Sequence, residues 1–428
     1  MAPPAKIGSV VDNGRYAPTA NESDFTPHNS TVIARKTPTS TKFQSRLKDN
    51  SPLIKDLQNQ AQSFSLDSQI LRASLRPRVI GNSNNMYAPI VNGIGYDEAI
   101  TNIAQLSALV SVNKSIISNK TLSTQLSGFT IQSQSTYNNI RMSQQDLRKT
   151  ITDQYIVTFG EQLQLQLNRE IGDLLREEDT LLRKLTQNNV YKQTDYLSFL
   201  VTVQQQELAT SELQIQYEYD FATLNYLSGL EDSITASLAD PNLKLLNIPD
   251  YYTSVFYRQY IFDSLKLRND RSLIDINYKP KINVFADGGY NSSLQFDPHK
   301  NFGFSFGLSI AVPIYDGHQK KMQYAKIDLQ EKTRQAKRDF FIRQHQQQIM
   351  QLRRQLASTE KLIDDINKQI KYSETLIRTN HKLLATGDVR LTDFILTINN
   401  YLNARNLVTQ NYVNRLRILN QLNYWSAP

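Results

Sequence analysis

The chain has 428 residues, a formal net charge of +8 and a hydrophobic content of 39%. That content lies below the ~45–50% of an ordinary globular domain, which disfavours one compact core and favours long helices with narrow apolar seams. The lysines and arginines are scattered without dense clusters, so the basic charge does not favour nucleic-acid binding. The absence of cysteine excludes a disulfide framework, a thiolate zinc site and a lipid-bearing cysteine.

The sequence carries no motif typical of an enzyme. The five histidines are dispersed without metal-binding spacing, and Gly93-Ile94-Gly95 lacks the third glycine and the context of a dinucleotide site. We therefore expect no catalysis, no cofactor and no metal. The first residues show no basic segment followed by an apolar one, so no signal peptide is expected in this chain. No run approaches 18 apolar residues, so we expect any membrane insertion to use strands.

The first half of the chain predicts an arm followed by one structural unit. Residues 1–43 are rich in Pro, Thr, Ser and Asn and lack periodicity, which indicates an irregular arm. Residues 44–228 predict a helix, a β-hairpin, a very long helix and a return helix, at 44–75, 77–118, 119–187 and 194–228. The hairpin strands are expected at 78–86 and 105–115. A mixed connector at 229–250 ends this half.

The second half, residues 251–428, predicts the same order of elements: helix, hairpin, long helix and return helix at 251–275, 279–315, 317–385 and 392–426. Its strands are expected at 281–291 and 302–312. Basic-Pro-basic triplets occur around both Pro77 and Pro280, and several later matches recur at one constant, slightly shorter offset, which indicates a tandem duplication. The second long helix carries a heptad seam at Ile349, Leu352, Leu356, Ile363, Ile366, Ile370, Ile377 and Leu384.

The strand at 302–312 has the pattern of a membrane-crossing strand. Large apolar residues alternate with small ones for eleven residues, close to the ~9–11 that a tilted strand needs to cross a bilayer. We expect the following side chains to face lipid: Phe302, Phe304, Phe306, Leu308, Ile310 and Val312. Four strands cannot close a barrel, and an open edge is not tolerated in lipid, so the hairpins are expected to close with those of other copies.

Three stretches carry a resemblance to a known family. They are the strand-to-helix sequence LSIAVPIYDG at 308–317, the turn at 385–394 and the weaker turn at 189–196. With the repeat and the helix lengths, they make residues 44–428 resemble the TolC-type outer-membrane efflux family. The resemblance implies an α+β membrane protein whose homotrimer forms a twelve-stranded barrel in the outer membrane and a twelve-helix tube across the periplasm. It also implies a passive exit duct that works with a periplasmic adaptor protein and an inner-membrane pump.

The two turns lie at the far end of the long helices and predict the mouth of such a tube. Gly387 suits a left-handed helix end, while Thr194 and Thr392 are expected to cap the return helices. Asp195 and Asp393 would then complement the helix dipoles, and in a trimer they would also form rings that favour cations. The resemblance assigns Asp393 to such a ring. The family's latch arginine stands two residues after the glycine, whereas here Arg390 stands three after it.

Other residues of the turns are predicted to contact the adaptor: Lys192, Thr194, Gly387, Asp388, Arg390 and Thr392. The alternative is that these polar tips are simply solvated. The cations beside the two prolines, Arg76, Arg78, Lys279 and Lys281, are expected either at lipid head groups or as solvated strand ends.

Two other functions stay open from the sequence. One is a non-conducting coiled-coil scaffold or spacer, although an exposed phenylalanine row disfavours it. The other is a conduit for type I protein secretion instead of small-molecule efflux, because both uses share one kind of duct.

Overall fold

The computed structural model describes residues 39, 43, 51–101, 103–231, 235–248, 250–294 and 297–426, which belong to one compact unit. Most of the predicted arm and the predicted helical residues 44–50 lie outside this part of the chain. The helices are α1 (Pro52–Ser74), the short α2 (Glu98–Thr101), α3 (Asn119–Gln187), α4 (Gln193–Ser228), α5 (Val255–Asn277), α6 (Gln319–Thr386) and α7 (Leu391–Tyr424). Single 3-10 turns occupy Tyr251–Thr253 and Pro298–Lys300.

The strands form one antiparallel sheet with the order β1-β2-β3-β4. Its members are β1 (Arg78–Tyr87), β2 (Ala104–Ile116), β3 (Lys281–Ser292) and β4 (Phe302–Ala311). Equivalent elements of the two halves of the chain are separated by constant numbers of residues. Helix α5 begins as many residues after α1 as β3 begins after β1. Helix α7 likewise begins as many residues after α4 as β4 begins after β2. The strand predicted at 302–312 ends one residue early, since Pro313 cannot continue a ladder.

The long helices α3 and α6 contain 69 and 68 residues, which at ~1.5 Å per residue gives rods of about 100 Å. The predicted heptad seam of α6 is confirmed, because all eight of its positions are buried or half-buried. Helix α6 begins two residues later than predicted. Gly317 and His318 have φ of 61° and 66°, which excludes them from a right-handed helix, and Asp316 accepts hydrogen bonds from the His318 and Lys320 amides instead.

Helix α3 is the centre of the packing. It contacts α1 and α5 in the half nearer the sheet and contacts α4 and α7 along the rest of its length, while α6 packs on α5 and α7. One apolar cluster joins α3, α4, α7 and the connector around Tyr155, Phe221 and Leu238. A second cluster fills the ends of α3, α4, α6 and α7 around Phe199, Leu384 and Phe394. Among the described residues, no helix is long and apolar enough to cross a membrane.

Candidate functional site at the helical tips and on the sheet

The sheet has one apolar face. Strand register places Phe302, Phe304 and Phe306 beside Tyr290, Gly288 and Ala286, so the phenylalanines and the even-numbered β3 residues share this face. The same register carries the face onto β2 at Ala108, Val110 and Val112. The three phenylalanines are 78%, 85% and 81% exposed in the single chain. The other predicted lipid-facing residues, Leu308, Ile310 and Val312, are also exposed.

The opposite face of the sheet carries mainly small and polar side chains, with the Phe285 ring among them. A side-chain hydrogen bond crosses each strand pair on this face, from Asn82 to Ser111 at 3.3 Å, from Ser115 to Asn283 at 2.7 Å and from Ser305 to Asp287 at 3.3 Å. The small residues of β4 are required here in at least one place. A Cβ atom on Gly307 would lie 2.5 Å from the Phe285 ring. The two faces therefore differ in polarity as a strand between lipid and water requires.

At the opposite end of the helices, two turns close the hairpins α3–α4 and α6–α7 with the same geometry. Gly387 has the predicted left-handed φ, +77°, and the amides of Gly387 and Asp388 bond to the carbonyls of Leu384 and Leu383. This is the Schellman pattern of helix ends. Asn189, at the equivalent position of the first half, has φ +60° and its turn repeats the pattern. The sequence pointed to Gly387 alone, although the repeat spacing and the tolerance of asparagine for this conformation also identify Asn189.

A tyrosine joins the two turns. The Tyr191 Oη lies 2.9 Å from the Val389 carbonyl oxygen and 3.2 Å from that of Leu384, a contact that we call the tip clasp. Burial is the main cause that raises the pKa of Tyr191, and the nearby Asp388 carboxylate adds to it. The hydroxyl therefore remains a donor through the ordinary pH range. Its role escaped the sequence reasoning because the acceptors are backbone carbonyls, which carry no residue signature.

The prediction that Thr194 and Thr392 cap the return helices is wrong. Helices α4 and α7 begin at Gln193 and Leu391, so the extended capping residues are Lys192 and Arg390 and the threonines already lie within the helices. Neither capping side chain makes a cap hydrogen bond in the described structure. At the α7 end, Leu391 is 2% exposed within the apolar cluster around Phe199, Leu384 and Phe394, which we call the tip cluster. This burial favours a helix that starts before Thr392.

The predicted aspartates do lie in the first turns of α4 and α7, where the helix dipole stabilises a carboxylate by ~0.3–1 kcal/mol. Asp393 is exposed and Asp195 is half-buried. Both belong to the end of the molecule that the tip clasp joins. The expected adaptor contacts are all exposed at this end: Lys192, Thr194, Gly387, Asp388, Arg390 and Thr392. The Asp388 carboxylate accepts a 2.7 Å hydrogen bond from the Thr386 hydroxyl.

A buried carboxylate lies just inside the tips. The Glu178 side chain, on α3, is 0% exposed and contacts the Nδ1 atom of His381 on α6. Its second oxygen, Oε2, has no hydrogen-bond partner among the described residues. Loss of water is the main cause that raises the pKa of Glu178, and the contact with His381 offsets part of the rise. Sequence reasoning missed this pair because its members lie in different halves of the chain and no motif joins them.

Comparison with solved structures finds chains of the same fold. CusC, whose crystal structures describe transmembrane channel formation, matches with a TM-score of 0.77 and 10% identity over 91% of this chain and 92% of its own. The outer membrane protein VceC from Vibrio cholerae matches at 0.73 and 11% identity, covering 91% and 96%. The CmeC outer membrane channel from Campylobacter jejuni matches at 0.70 and 11% identity, covering 97% and 94%. No family model and no curated protein matches the sequence.

Proposed function

We propose that this chain, which has the fold of TolC-type outer-membrane channels, is one subunit of a trimeric exit duct. The duct spans the outer membrane and the periplasm and carries solutes expelled by an inner-membrane pump through a periplasmic adaptor. The observation that carries the proposal is the row of exposed phenylalanines on a four-stranded sheet. In water that row would be an aggregation hazard, whereas in lipid it is the surface that a strand requires.

The open edges of the sheet support assembly from several copies. Strands β1 and β4 each pair on one side only within the described chain, and they run antiparallel to one another. Pairing β4 of one copy with β1 of the next therefore extends the sheet without changing its pattern. Three copies supply twelve strands, which is enough to close a barrel, whereas four strands are not.

The helices support the same assembly. Helix α4 packs mainly on α3, and its free side carries an exposed apolar row at four- and seven-residue steps: Leu197, Val201, Leu208, Ile215, Tyr219 and Tyr226. Helix α6 packs mainly on α7 and also exposes large apolar side chains, including Leu329, Phe340, Leu362 and Leu376. Such rows fit a neighbouring helix. In the proposed tube, α6 of one copy covers α4 of the next.

The tips form the periplasmic mouth in this proposal. Asp393 and Asp195 contribute carboxylate rings that favour cations, and Arg390 lies beside the Asp393 ring. The exposed residues of the two turns contact the adaptor. Support comes from their shared position at one end of the rods and from the resemblance of the two turns to those of the family.

The test is whether the purified protein forms trimeric channels. We expect it to require detergent, to give particles with threefold symmetry and an axial lumen in electron micrographs, and to produce stepwise conductance in a planar lipid bilayer. A monodisperse particle in plain buffer that produces no conductance would instead support the scaffold function.

A further inference from the structure

Two cations occupy equivalent positions at the base of the sheet. Arg78 is the first residue of β1 and Lys281 is the first residue of β3, the equivalent strand of the second half. Both side chains are exposed. Within the described residues, neither forms an ion pair or a side-chain hydrogen bond. The two halves of the chain therefore each place one free positive charge at the start of their first strand, β1 or β3.

Strand register places both cations on the polar face. Lys281 precedes Asn283 by two residues and shares its face, and Asn283 bonds to Ser115 there. Arg78 lies four residues before Asn82, which bonds to Ser111 on the same face. The lipid head groups considered from the sequence would contact the opposite face. That face carries Lys114, which pairs with Val284, and Val284 in turn pairs with Leu308.

We propose that Arg78 and Lys281 form a luminal ring of six cations, two from each of three copies, which concentrates small anions at the base of the barrel. The inference rests on the proposed trimeric duct, in which the polar face lines the lumen. Rings of Arg or Lys are the usual device of anion pores. The ligand class is small dissolved anions, including chloride and solutes bearing phosphate or carboxylate groups.

The size of the effect follows from the barrel radius. Twelve strands ~4.8 Å apart and tilted by ~40° give a radius of about 12 Å. At 10 mM salt the screening length is ~30 Å, so six charges at this distance enrich a monovalent anion on the axis about tenfold. One Asp287 per copy lies on the same face but six residues further along β3, about 20 Å from the ring at ~3.4 Å per residue, so it reduces this only to about sixfold. At 1 M salt the screening length is ~3 Å and the enrichment disappears.

The experiment measures the chloride-to-potassium permeability ratio from reversal potentials of single channels in a KCl gradient. Arg78→Glu and Lys281→Glu should each lower the ratio about twofold or more at about 10 mM mean salt. Lys114→Glu makes the same charge change on the lipid-facing side and should leave the ratio unchanged. All variants should converge near 1 M KCl. Single-channel recordings sample inserted channels only, so partial misfolding does not disturb the comparison.

If the charge-reversal variants fail to insert, two neutral variants, Arg78→Gln and Lys281→Gln, replace them. Each neutral variant changes the net charge of the ring by about half as much as the corresponding charge reversal. An unchanged ratio in both polar-face variants would overturn the ring, as would an equal shift in the Lys114→Glu control. These outcomes leave the duct standing. If neither the wild type nor any variant forms channels, the duct itself is wrong and the ring is wrong with it.

Discussion

Replacing Tyr191 with phenylalanine tests whether the tip clasp holds the mouth of the duct closed. The change removes only the hydroxyl that bonds the Val389 and Leu384 carbonyls and leaves the ring in place. Because this hydroxyl joins the α3–α4 turn to the α6–α7 turn, its loss should weaken the contact between hairpins while leaving each hairpin intact. We expect the variant to open more often than the wild type.

The magnitude follows from the hydrogen-bond geometry. One hydroxyl carries one proton, so its two carbonyl contacts count as a single shared hydrogen bond with a net contribution of about 1 kcal/mol. Its loss shifts the open-to-closed equilibrium about fivefold per subunit. If three subunits open together, the shifts combine to about 3 kcal/mol, or roughly 150-fold.

The assay is the open probability of single channels in a planar bilayer. Tyr196→Phe is the matched control, because its hydroxyl bonds Asp179 at 2.9 Å within the α3–α4 hairpin and does not reach the other hairpin. The control should lose stability without opening more often. Equal open probabilities in the wild type and Tyr191→Phe would refute the clasp as a closing element. Equal increases in both tyrosine variants would show a general loss of stability instead.

Four further predictions rest on the same structure. Burial raises the pKa of Glu178, so the folded protein binds this proton more tightly than the unfolded chain does. The free energy of unfolding therefore falls as the pH rises from below 4.5 through the raised pKa. The melting temperature of Glu178→Gln should exceed that of the wild type at neutral pH, and the difference should disappear in acid. Gly387→Ala should lower the free energy of unfolding by about 1–2 kcal/mol, because alanine is strained in the left-handed backbone conformation. The loss should exceed that of Gly317→Ala, because the methyl added at 387 would lie 2.8 Å from a side chain whereas the methyl added at 317 would meet none. Asp393→Ala should lower cation preference and the block by divalent cations in planar bilayers. Arg390→Glu should reduce cross-linking to a co-purifying adaptor.

Each of these has an outcome that contradicts it. A melting difference for Glu178→Gln that persists unchanged at low pH would show that charge burial is not its cause. Equal losses in the two glycine variants would remove the tip contact from the explanation. Unchanged conductance and divalent sensitivity in Asp393→Ala would exclude the carboxylate ring. Unaltered cross-linking in Arg390→Glu would remove this arginine from the adaptor surface.

Much of the fold could be predicted from local sequence patterns. The heptad spacing of α6 predicted the positions that are buried, because a helix presents every third or fourth residue to one side. The alternation in β4 predicted its two faces for a similar reason, since successive strand residues point in opposite directions. Gly387 identified a helix end because its conformation is costly for other residues. These are properties of neighbouring residues, so a single sequence contains them.

Other features depended on contacts between distant parts of the chain. Leu391 starts α7 because the tip cluster buries it, which moved the helix start ahead of the threonine expected to cap it. The tip clasp uses backbone carbonyls 193 and 198 residues from Tyr191, and Glu178 meets His381 only because α3 and α6 converge at the tips. The sequence by itself determined the elements and their apolar faces. Only the tertiary structure decided which polar groups meet at the tips and which face of the sheet carries Arg78 and Lys281, because both depend on the register between elements.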